Sequence, residues 1–396
     1  MRSRDYLKQF SVDLSLAREL DFNPYYPVLD SAVGRQVRIA GEDYIDLASN
    51  NYLGLATDPR VITAITAAAR KYGSSMCGTP IATGSNRLFR DLEQRLATFC
   101  GQEDAVIFPS GYQANSALFA AITERNDLII VDHFAHASLI QGIRTPGCTI
   151  KPFLHNDLDH LERLLRRGDK YRQLFVVTES VFSTEGMIAP FAEIVELCER
   201  YEALPLIDDS HGIGVIGASG RGILEAVGLN DFTGIYTASL GKALANAGGV
   251  VTGPRQFIEY LRYYCAGLIY STALPPAVVA GVEAVLSIVE SEFPLLSKRL
   301  WHNKKQLADF LLERGFQLAK GDAPITSVIC GSTENTVTLA RDLFRAGILT
   351  TPFVPPSTPP GQGRVRLIAS ADLTPADMDR VLHAFSSLTP PTVEAT

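Results

Sequence analysis

Short apolar runs rich in β-branched residues alternate with helical patterns through the middle of the chain. The apolarity of several runs is continuous rather than alternating, which is typical of strands covered on both faces in a mostly parallel sheet. The predicted strands are residues 105–108, 128–131, 174–178, 206–207, 235–238 and 249–252. Because helical spacing of apolar residues separates these runs, the pattern predicts a three-layer α/β domain.

The two ends of the chain differ from this middle. Before about residue 49 a short helical segment is followed by prolines and turn-like glycines, which predicts an arm. A long helical pattern runs from about residue 277 to 314, and beyond it two strands (326–330 and 364–368) and two helices predict a small α+β domain. We therefore predict an N-terminal arm at residues 1–58, a large α/β domain at 59–292 and a small C-terminal α+β domain at 293–396.

The amino-acid composition argues against several classes of protein. The chain has 396 residues, 46% of them hydrophobic, and a net charge of -7, which argues against a nucleic-acid partner or an anionic membrane surface. Its longest apolar run, residues 277–289, is interrupted by Glu283 and is too short to be a transmembrane segment. The six cysteines lack C-x-x-C spacing, which is typical of reduced thiols rather than of disulfides or a metal site. The N-terminus shows no apolar signal-peptide core, so we expect a cytoplasmic protein.

One lysine is a candidate for covalent chemistry. Lys242 follows a small, hydroxyl-bearing run and precedes alanine and glycine in the segment 237–249. An amine held among apolar neighbours loses its proton more easily and becomes a nucleophile able to form a Schiff base. Taken alone, a lysine in an Ala/Gly-rich turn is more often a solvated surface residue.

Three further stretches change that interpretation. Asp208 and His211 follow an apolar run, and His136 follows another. Residues 110–112 lie between a predicted strand and a predicted helix, where backbone amides and the helix dipole favour a phosphate. Together with Lys242 these stretches supply an amine, a partner for a pyridinium, an imidazole that can stack on a ring and a phosphate cradle. Those are the parts of a pyridoxal 5'-phosphate site.

In this combination of motifs the chain resembles the α-oxoamine synthases, enzymes that join an amino acid to an acyl thioester. The resemblance extends from about residue 49 to about residue 373. It implies a fold-type I pyridoxal-phosphate transferase with a mostly parallel, seven-stranded central sheet and a smaller α+β C-terminal domain. It also implies pyridoxal 5'-phosphate as the cofactor and a homodimer with shared active sites.

The resemblance assigns cofactor roles to individual residues. Lys242 is expected to form the Schiff base, Asp208 to face the pyridinium nitrogen and His136 to stack on the ring. His211 and Ser183 are expected near the phenolic oxygen. The cofactor phosphate is expected to contact Ser110, Gly111, Tyr112 and Ser239 of one subunit and Ser271 and Thr272 of the other.

The resemblance also assigns residues to the amino-acid substrate. It places Arg366 as a bidentate clamp on the substrate carboxylate, a geometry that suits guanidinium better than ammonium. Asn50 is expected to assist there. Arg364 is the alternative clamp, because it lies two residues back on the same face of the predicted strand.

The implied reaction condenses an α-amino acid with an acyl thioester, carried by CoA or by an acyl carrier protein, and releases CO2 and a free thiol. Pro80 and Ile81 occupy the loop that carries polar partners in relatives with a succinyl donor. Because neither side chain can pair with a carboxylate, we expect an apolar acyl chain. An aminotransferase and a glycine C-acetyltransferase-type reaction remain alternatives, and the pathway (biotin, sphingolipid, signalling or another product) stays open.

Overall fold

The computed structural model describes residues 6–393 of the chain. The strands are β1 Gln36–Ile39, β2 Glu42–Asp46, β3 Asp104–Phe108, β4 Leu128–Asp132, β5 Thr149–Phe153, β6 Leu174–Glu179, β7 Ala203–Asp208, β8 Ile235–Ser239, β9 Gly249–Gly253, β10 Thr326–Gly331, β11 Ile348–Leu349, β12 Thr351–Phe353 and β13 Gly363–Leu367. Every strand expected from the apolar runs is present.

The helices fill the segments between these strands. They are α1 Ser15–Glu19, α2 Pro59–Tyr72, α3 Arg87–Phe99, α4 Gly111–Ile122, α5 Ala137–Arg144, α6 Leu158–Leu165, α7 Phe191–Arg200, α8 Ile223–Ala226, α9 Arg255–Tyr264, α10 Ala266–Ile269, α11 Pro276–Glu313, α12 Thr333–Arg345 and α13 Pro375–Ser386. No helix within residues 6–393 is long and apolar enough to cross a membrane.

The central sheet confirms the predicted fold class. Its seven strands follow the order β3-β9-β8-β7-β6-β4-β5. Strands β4 to β8 run parallel to one another, whereas β9 is antiparallel to both β3 and β8. Buried apolar side chains cover both faces, because helices pack on each side of the sheet.

Edge strand β5 was not expected from the sequence. It pairs with β4 at the border of the sheet, and most of its residues are only partly buried. Lys151 and Pro152 interrupt its apolar pattern. A strand at an edge tolerates both residues, since one side of its backbone needs no partner within the sheet.

Two smaller sheets build the rest of the molecule. Strands β10, β13 and β12 form an antiparallel sheet, and β1, β2 and β11 form another. In the second sheet Ile45 of the predicted arm pairs in parallel register with Ile348, so the arm is joined to the C-terminal part of the chain. The predicted division into 1–58, 59–292 and 293–396 stays a prediction. Its second boundary lies within α11, which continues through Pro294.

The parallel strands end together on one side of the molecule. The last residues of β4, β6, β7 and β8 are Asp132, Glu179, Asp208 and Ser239. In open α/β sheets ligands bind outside the carboxyl ends of the strands. The fold therefore gathers polar side chains at the edge where such a site is expected.

Candidate active site

The start of helix α4 forms a tight backbone turn. The Ser110 hydroxyl accepts a hydrogen bond from the backbone N–H of Gln113 at 3.0 Å and so caps the helix. A Cβ on Gly111 would lie 2.9 Å from the Cβ of Ser239, and one on Gly249 would lie 2.6 Å from the Cα of Gly111. Glycine at these positions keeps the helix N-terminus close to Ser239. The first N–H groups of a helix have no partner within it, which suits a phosphate.

Asp208 is buried at the end of β7. Its side chain is held by neutral donors, the backbone N–H of Ser210 at 3.0 Å and the side-chain amide of Asn115 at 2.6 Å. The residue is only 4% exposed. A buried carboxylate costs free energy unless a cation lies beside it, and a protonated pyridine nitrogen is such a cation.

Lys242 lies in the loop between β8 and β9. Removal of its amine from water lowers its pKa below the usual value, and the charge of Arg366 acts in the same direction. The nearby carboxyl groups of Asp208 and Glu179 oppose that shift. The lowered pKa favours the neutral amine, which is the nucleophilic form.

The two predicted histidines are both close to this lysine. His211 is buried, its Nδ1 lies 2.8 Å from the Tyr52 hydroxyl, and burial together with the charge of Lys242 holds its pKa well below the usual value. His136 lies at the N-terminus of α5, with the Tyr112 ring edge-on at 6.4 Å. Desolvation in the cleft lowers the pKa of His136, and Asp208 opposes that shift. The lowered pKa values favour the neutral form of both imidazoles.

A cleft of about 1400 Å³ is lined by Lys242, His136 and His211, whereas Ser110, Gly111, Asp208 and Ser239 are not among its lining residues. Ligand pockets commonly measure ~300–1,000 Å³, so this one has room for a cofactor and part of a second substrate. The predicted site residues that line it are Asn50, Tyr112, His136, Ser183, His211, Lys242 and Arg366. Among the others, Asp208 lies close enough to Lys242 to raise its pKa, and Ser110, Gly111 and Ser239 lie together at the start of α4.

The two arginines of β13 differ in their partners. Arg364 is paired with Glu185, with 2.7 Å between Nη1 and the carboxylate oxygen. Arg366 is buried over the Phe353 ring, 4.8 Å from its centroid, and Nη1 donates only a long 3.4 Å bond to the Ser183 carbonyl. Its Nε has no hydrogen-bond partner among the described residues, and neither has Oδ1 of Asn50. Arg366 therefore lines the cleft with an unpartnered Nε, whereas the guanidinium of Arg364 already has a carboxylate partner.

Ser271 and Thr272 do not line this cleft. They follow α10, and the next residue, Ala273, donates its backbone N–H to the Gly78 carbonyl at 3.0 Å. These two residues and the loop that contains Pro80 and Ile81 are therefore neighbours on another part of the surface. Their expected role in a second subunit stays a prediction.

Sequence reasoning missed three residues of the site. Glu179 lines the cleft beside Asp208 in strand register, Asn115 holds Asp208, and Tyr52 holds His211. Burial and the Asp208 charge raise the pKa of Glu179 well above its usual range. The only signal for Glu179 was its position at the end of an apolar run, equivalent to that of Asp208. Asn115 and Tyr52 carry no such signal, since they act from a helix and a loop distant in sequence.

The arrangement fits pyridoxal 5'-phosphate. It offers a helix N-terminus without room for side chains at Gly111, a buried carboxylate with neutral partners at Asp208, and an amine of lowered pKa at Lys242. These groups match a phosphate, a protonated ring nitrogen and an aldehyde.

Comparisons with known proteins agree with this chemistry. The family model described as aminotransferase class I and II matches residues 42–385. The chain is 38% identical to an 8-amino-7-oxononanoate synthase of Thermoanaerobacter pseudethanolicus, with 91% of each chain covered. A serine palmitoyltransferase from S. paucimobilis, solved with PLP and myriocin bound, superimposes with a TM-score of 0.93 at 30% identity over 97% of this chain and 98% of that one.

A second solved structure is more distant. The 8-amino-7-oxononanoate synthase of Francisella tularensis has a TM-score of 0.74 at 26% identity, with 87% of this chain and 97% of that one covered. Both named activities belong to pyridoxal-phosphate-dependent enzymes that form a C–C bond between an amino acid and an acyl thioester. The chain is therefore a member of the α-oxoamine synthases, within the class I and II aminotransferase family.

Proposed function

We propose that this protein condenses an α-amino acid with an apolar acyl thioester and releases CO2 and a free thiol to give an α-aminoketone. The observation that carries the proposal is the buried guanidinium of Arg366, whose Nε has no hydrogen-bond partner among residues 6–393 and which lines the same cleft as Lys242. A buried guanidinium without a counterion is costly, and an incoming carboxylate removes that cost.

Each cofactor-binding residue has a defined part. Lys242 would hold pyridoxal 5'-phosphate through its amine, the start of α4 would hold the phosphate, and Asp208 would keep the ring nitrogen protonated. Bound in this way, the cofactor supplies an electron sink for a carbanion at the amino-acid Cα. The neutral imidazole of His211, with its Tyr52 hydrogen bond, would face the phenolic oxygen together with Ser183.

The remaining steps belong to side chains of the cleft. Arg366 binds the substrate carboxylate and orients the Cα–H bond. The amine of Lys242, with its lowered pKa, accepts the proton from Cα. His136 donates a hydrogen bond to the acyl oxygen as negative charge develops on it, while the bond between Cα and the acyl carbon forms and the C–S bond breaks. The thiolate leaves and takes the proton held by Lys242. The β-keto acid formed in this way loses its carboxylate as CO2, and a proton replaces it at Cα.

We further propose a homodimer with shared active sites. The cleft of the same chain is not lined by Ser271, Thr272, Pro80 or Ile81. Pro80 and Ile81 instead border a separate cavity of about 470 Å³. The hydrogen bond from Ala273 to Gly78 places both segments on one surface, from which they would reach the cleft of a second subunit.

Product analysis tests the proposed reaction. Mass spectrometry of mixtures from a grid of amino acids and acyl thioesters should find an α-aminoketone, with one CO2 and one free thiol per product. An aminotransferase would give a 2-oxo acid and no thiol, which would refute the proposal. Glycine with acetyl-CoA as the preferred pair would favour the C-acetyltransferase-type reaction.

Competition between donors tests the acyl preference. In mixtures of decanoyl-CoA and succinyl-CoA, we expect the decanoyl product to predominate because Pro80 and Ile81 offer no partner for a carboxylate. Replacement of Ile81 by Arg should shift the product ratio toward the succinyl donor. A preference of the unaltered protein for succinyl-CoA would refute the apolar acyl chain while leaving the condensation itself intact.

A further inference from the structure

A chain of hydrogen bonds connects Asp208 with the side chain of His136. Asn115, on α4, is 3% exposed and donates its two amide hydrogens to Oδ2 of Asp208 at 2.6 Å and to Oγ of Ser138 at 3.0 Å. Its Oδ1 accepts from the Thr237 hydroxyl at 2.9 Å. Because an ionised carboxylate only accepts hydrogen bonds, Asp208 determines which end of the Asn115 amide faces it. The reversed amide would place two oxygens against each other.

The direction of the next bond follows from this orientation. The Ser138 hydroxyl, in a residue only 1% exposed, accepts from Asn115, so its single hydrogen is available for its other neighbour. That neighbour is Nδ1 of His136, at 2.7 Å from Oγ. The backbone N–H of Ser138 also points to Nδ1, at 3.2 Å. Two donors therefore converge on one ring nitrogen.

A nitrogen that accepts from two donors cannot itself carry a proton. In a neutral imidazole the hydrogen must then be on the other nitrogen, Nε2. We infer that Asn115 and Ser138 are positioning residues that hold His136 as its Nε2–H tautomer and link that tautomer to the carboxylate of Asp208. A protonated imidazole would direct an N–H against both Ser138 donors, so the same contacts disfavour it.

The charges around His136 agree with a neutral ring. Desolvation and the charge of Lys242 lower its pKa, whereas Asp208 raises it. The Tyr112 ring packs against it edge-on, and the Glu179 carboxyl lies near the His136 backbone N–H.

The tautomer determines what His136 offers to the cleft. With the proton on Nε2, the ring presents a donor that can hydrogen-bond a carboxylate or the acyl oxygen; with the proton on Nδ1 it would present a lone pair. This catalytic consequence rests on the proposed function. The tautomer itself rests only on the hydrogen bonds of Asn115 and Ser138.

Nuclear magnetic resonance of the holoenzyme labelled with [15N]histidine reads the tautomer directly. Long-range 1H–15N correlations distinguish a protonated from an unprotonated ring nitrogen, and a His136→Gln variant identifies the signal. We expect protonated Nε2 and unprotonated Nδ1 at neutral pH. A protonated Nδ1 in the unaltered protein would overturn the inference, whatever the variants do.

Matched variants test the roles of Asn115 and Ser138. Ser138→Ala and Asn115→Asp should each give a mixture of tautomers, because the first removes the hydroxyl donor and the second places an acceptor opposite it. Ser138→Thr keeps the hydroxyl and should restore the pure pattern, and Thr237→Val, which leaves both Asn115 donors in place, should not alter it. An unchanged pattern in Ser138→Ala would overturn the role of the Ser138 hydroxyl and of its link to Asn115, because the backbone N–H of residue 138 would then hold the tautomer alone.

Kinetics separate this inference from the proposed function. Ser138→Ala should lower kcat about tenfold with little change in KM for the amino acid, because the donor acts on developing charge. If the tautomer is as inferred but no thiol is released from any thioester, the proposed function fails and the positioning role stands. If the condensation occurs with protonated Nδ1, only the positioning role fails.

Discussion

Two regions contribute buried charged side chains near the cleft, and these side chains differ in how completely they are paired or hydrogen-bonded. At the carboxyl edge of the central sheet, Asp208 accepts hydrogen bonds from Asn115 and Ser210. On β13 of the small sheet, Arg364 is paired with Glu185, whereas Nε of Arg366 has no partner among residues 6–393. The sheet edge is thus organised before any substrate arrives, while β13 keeps one cation available for a ligand.

The difference agrees with the proposed function, in which the sheet edge would hold the cofactor and β13 a substrate carboxylate. Preorganised donors and acceptors stabilise charge without rearranging during the reaction, which suits a permanently bound cofactor. A substrate must enter and leave, so its counterion must be free between turnovers. Burial lowers the pKa of Arg366, which shows the cost of keeping that guanidinium partly unpaired. Binding of a carboxylate relieves that cost.

Removal of the amine at the sheet edge should have the largest effect. We expect Lys242→Ala to lower turnover at least about a thousandfold and to abolish the visible absorbance band of the bound cofactor, because the variant lacks both the covalent link and the base. Absorbance spectra and product assays measure the two effects. Lys305→Ala, which removes an exposed lysine, is the control. A Lys242→Ala protein that keeps both the band and turnover would refute the assignment.

The next largest effect is on substrate binding, and it should differ between the two arginines of β13. Arg366→Lys should raise KM for the amino acid about a hundredfold, nearly 3 kcal/mol, because ammonium lacks the fork that binds a carboxylate through two hydrogen bonds. Arg364→Lys should instead lower the free energy of unfolding by ~1–2 kcal/mol, with little change in KM, because it weakens the buried pair with Glu185. Steady-state kinetics and chemical denaturation of both variants provide the comparison. The opposite pattern would make Arg364 the substrate clamp.

The smallest expected effect is on the pH dependence of stability, and it comes from Asp209, a second carboxyl group at the edge of the central sheet. Burial raises the pKa of Asp209 from 3.8 to about 7 in the folded protein, although Tyr236 and the Ile223 N–H donate to it. Folding therefore favours the protonated form, and this stabilisation is lost as pH rises from about 4 through 7. Relative to Asp209→Asn, the unaltered protein should lose about 1.4 kcal/mol of unfolding free energy between pH 6 and pH 8. Denaturation curves at both pH values test this, and a constant difference would contradict it.

Prediction from the sequence succeeded where a local pattern carried the information. Continuous apolar runs identified six strands of the central sheet, and helical spacing identified α11 across Pro294. It failed for β5, whose exposed edge position removes the apolar signal, and for the pairing of β2 with β11. Ile45 and Ile348 are neighbours only because the chain returns from far along the sequence, and no local pattern records that.

The sequence by itself predicted the α/β fold class from its alternating apolar runs, and the cofactor from a combination of motifs that resembles one enzyme family. The roles of the individual site residues stay predictions. The resemblance favoured Arg366 over Arg364 as the substrate clamp, but only the tertiary structure shows which of the two arginines of β13 has a carboxylate partner. Arg364 and Arg366 lie two residues apart on one strand face, but Arg364 is paired with Glu185 whereas Arg366 lines the cleft. The tautomer of His136 likewise depends on Asn115 and Ser138, which come from different helices. Residues distant in sequence therefore determine both the pairing of the two arginines and the tautomer of His136. The charge pairing and the proton position of a buried polar group depend on its hydrogen-bond partners in the folded molecule.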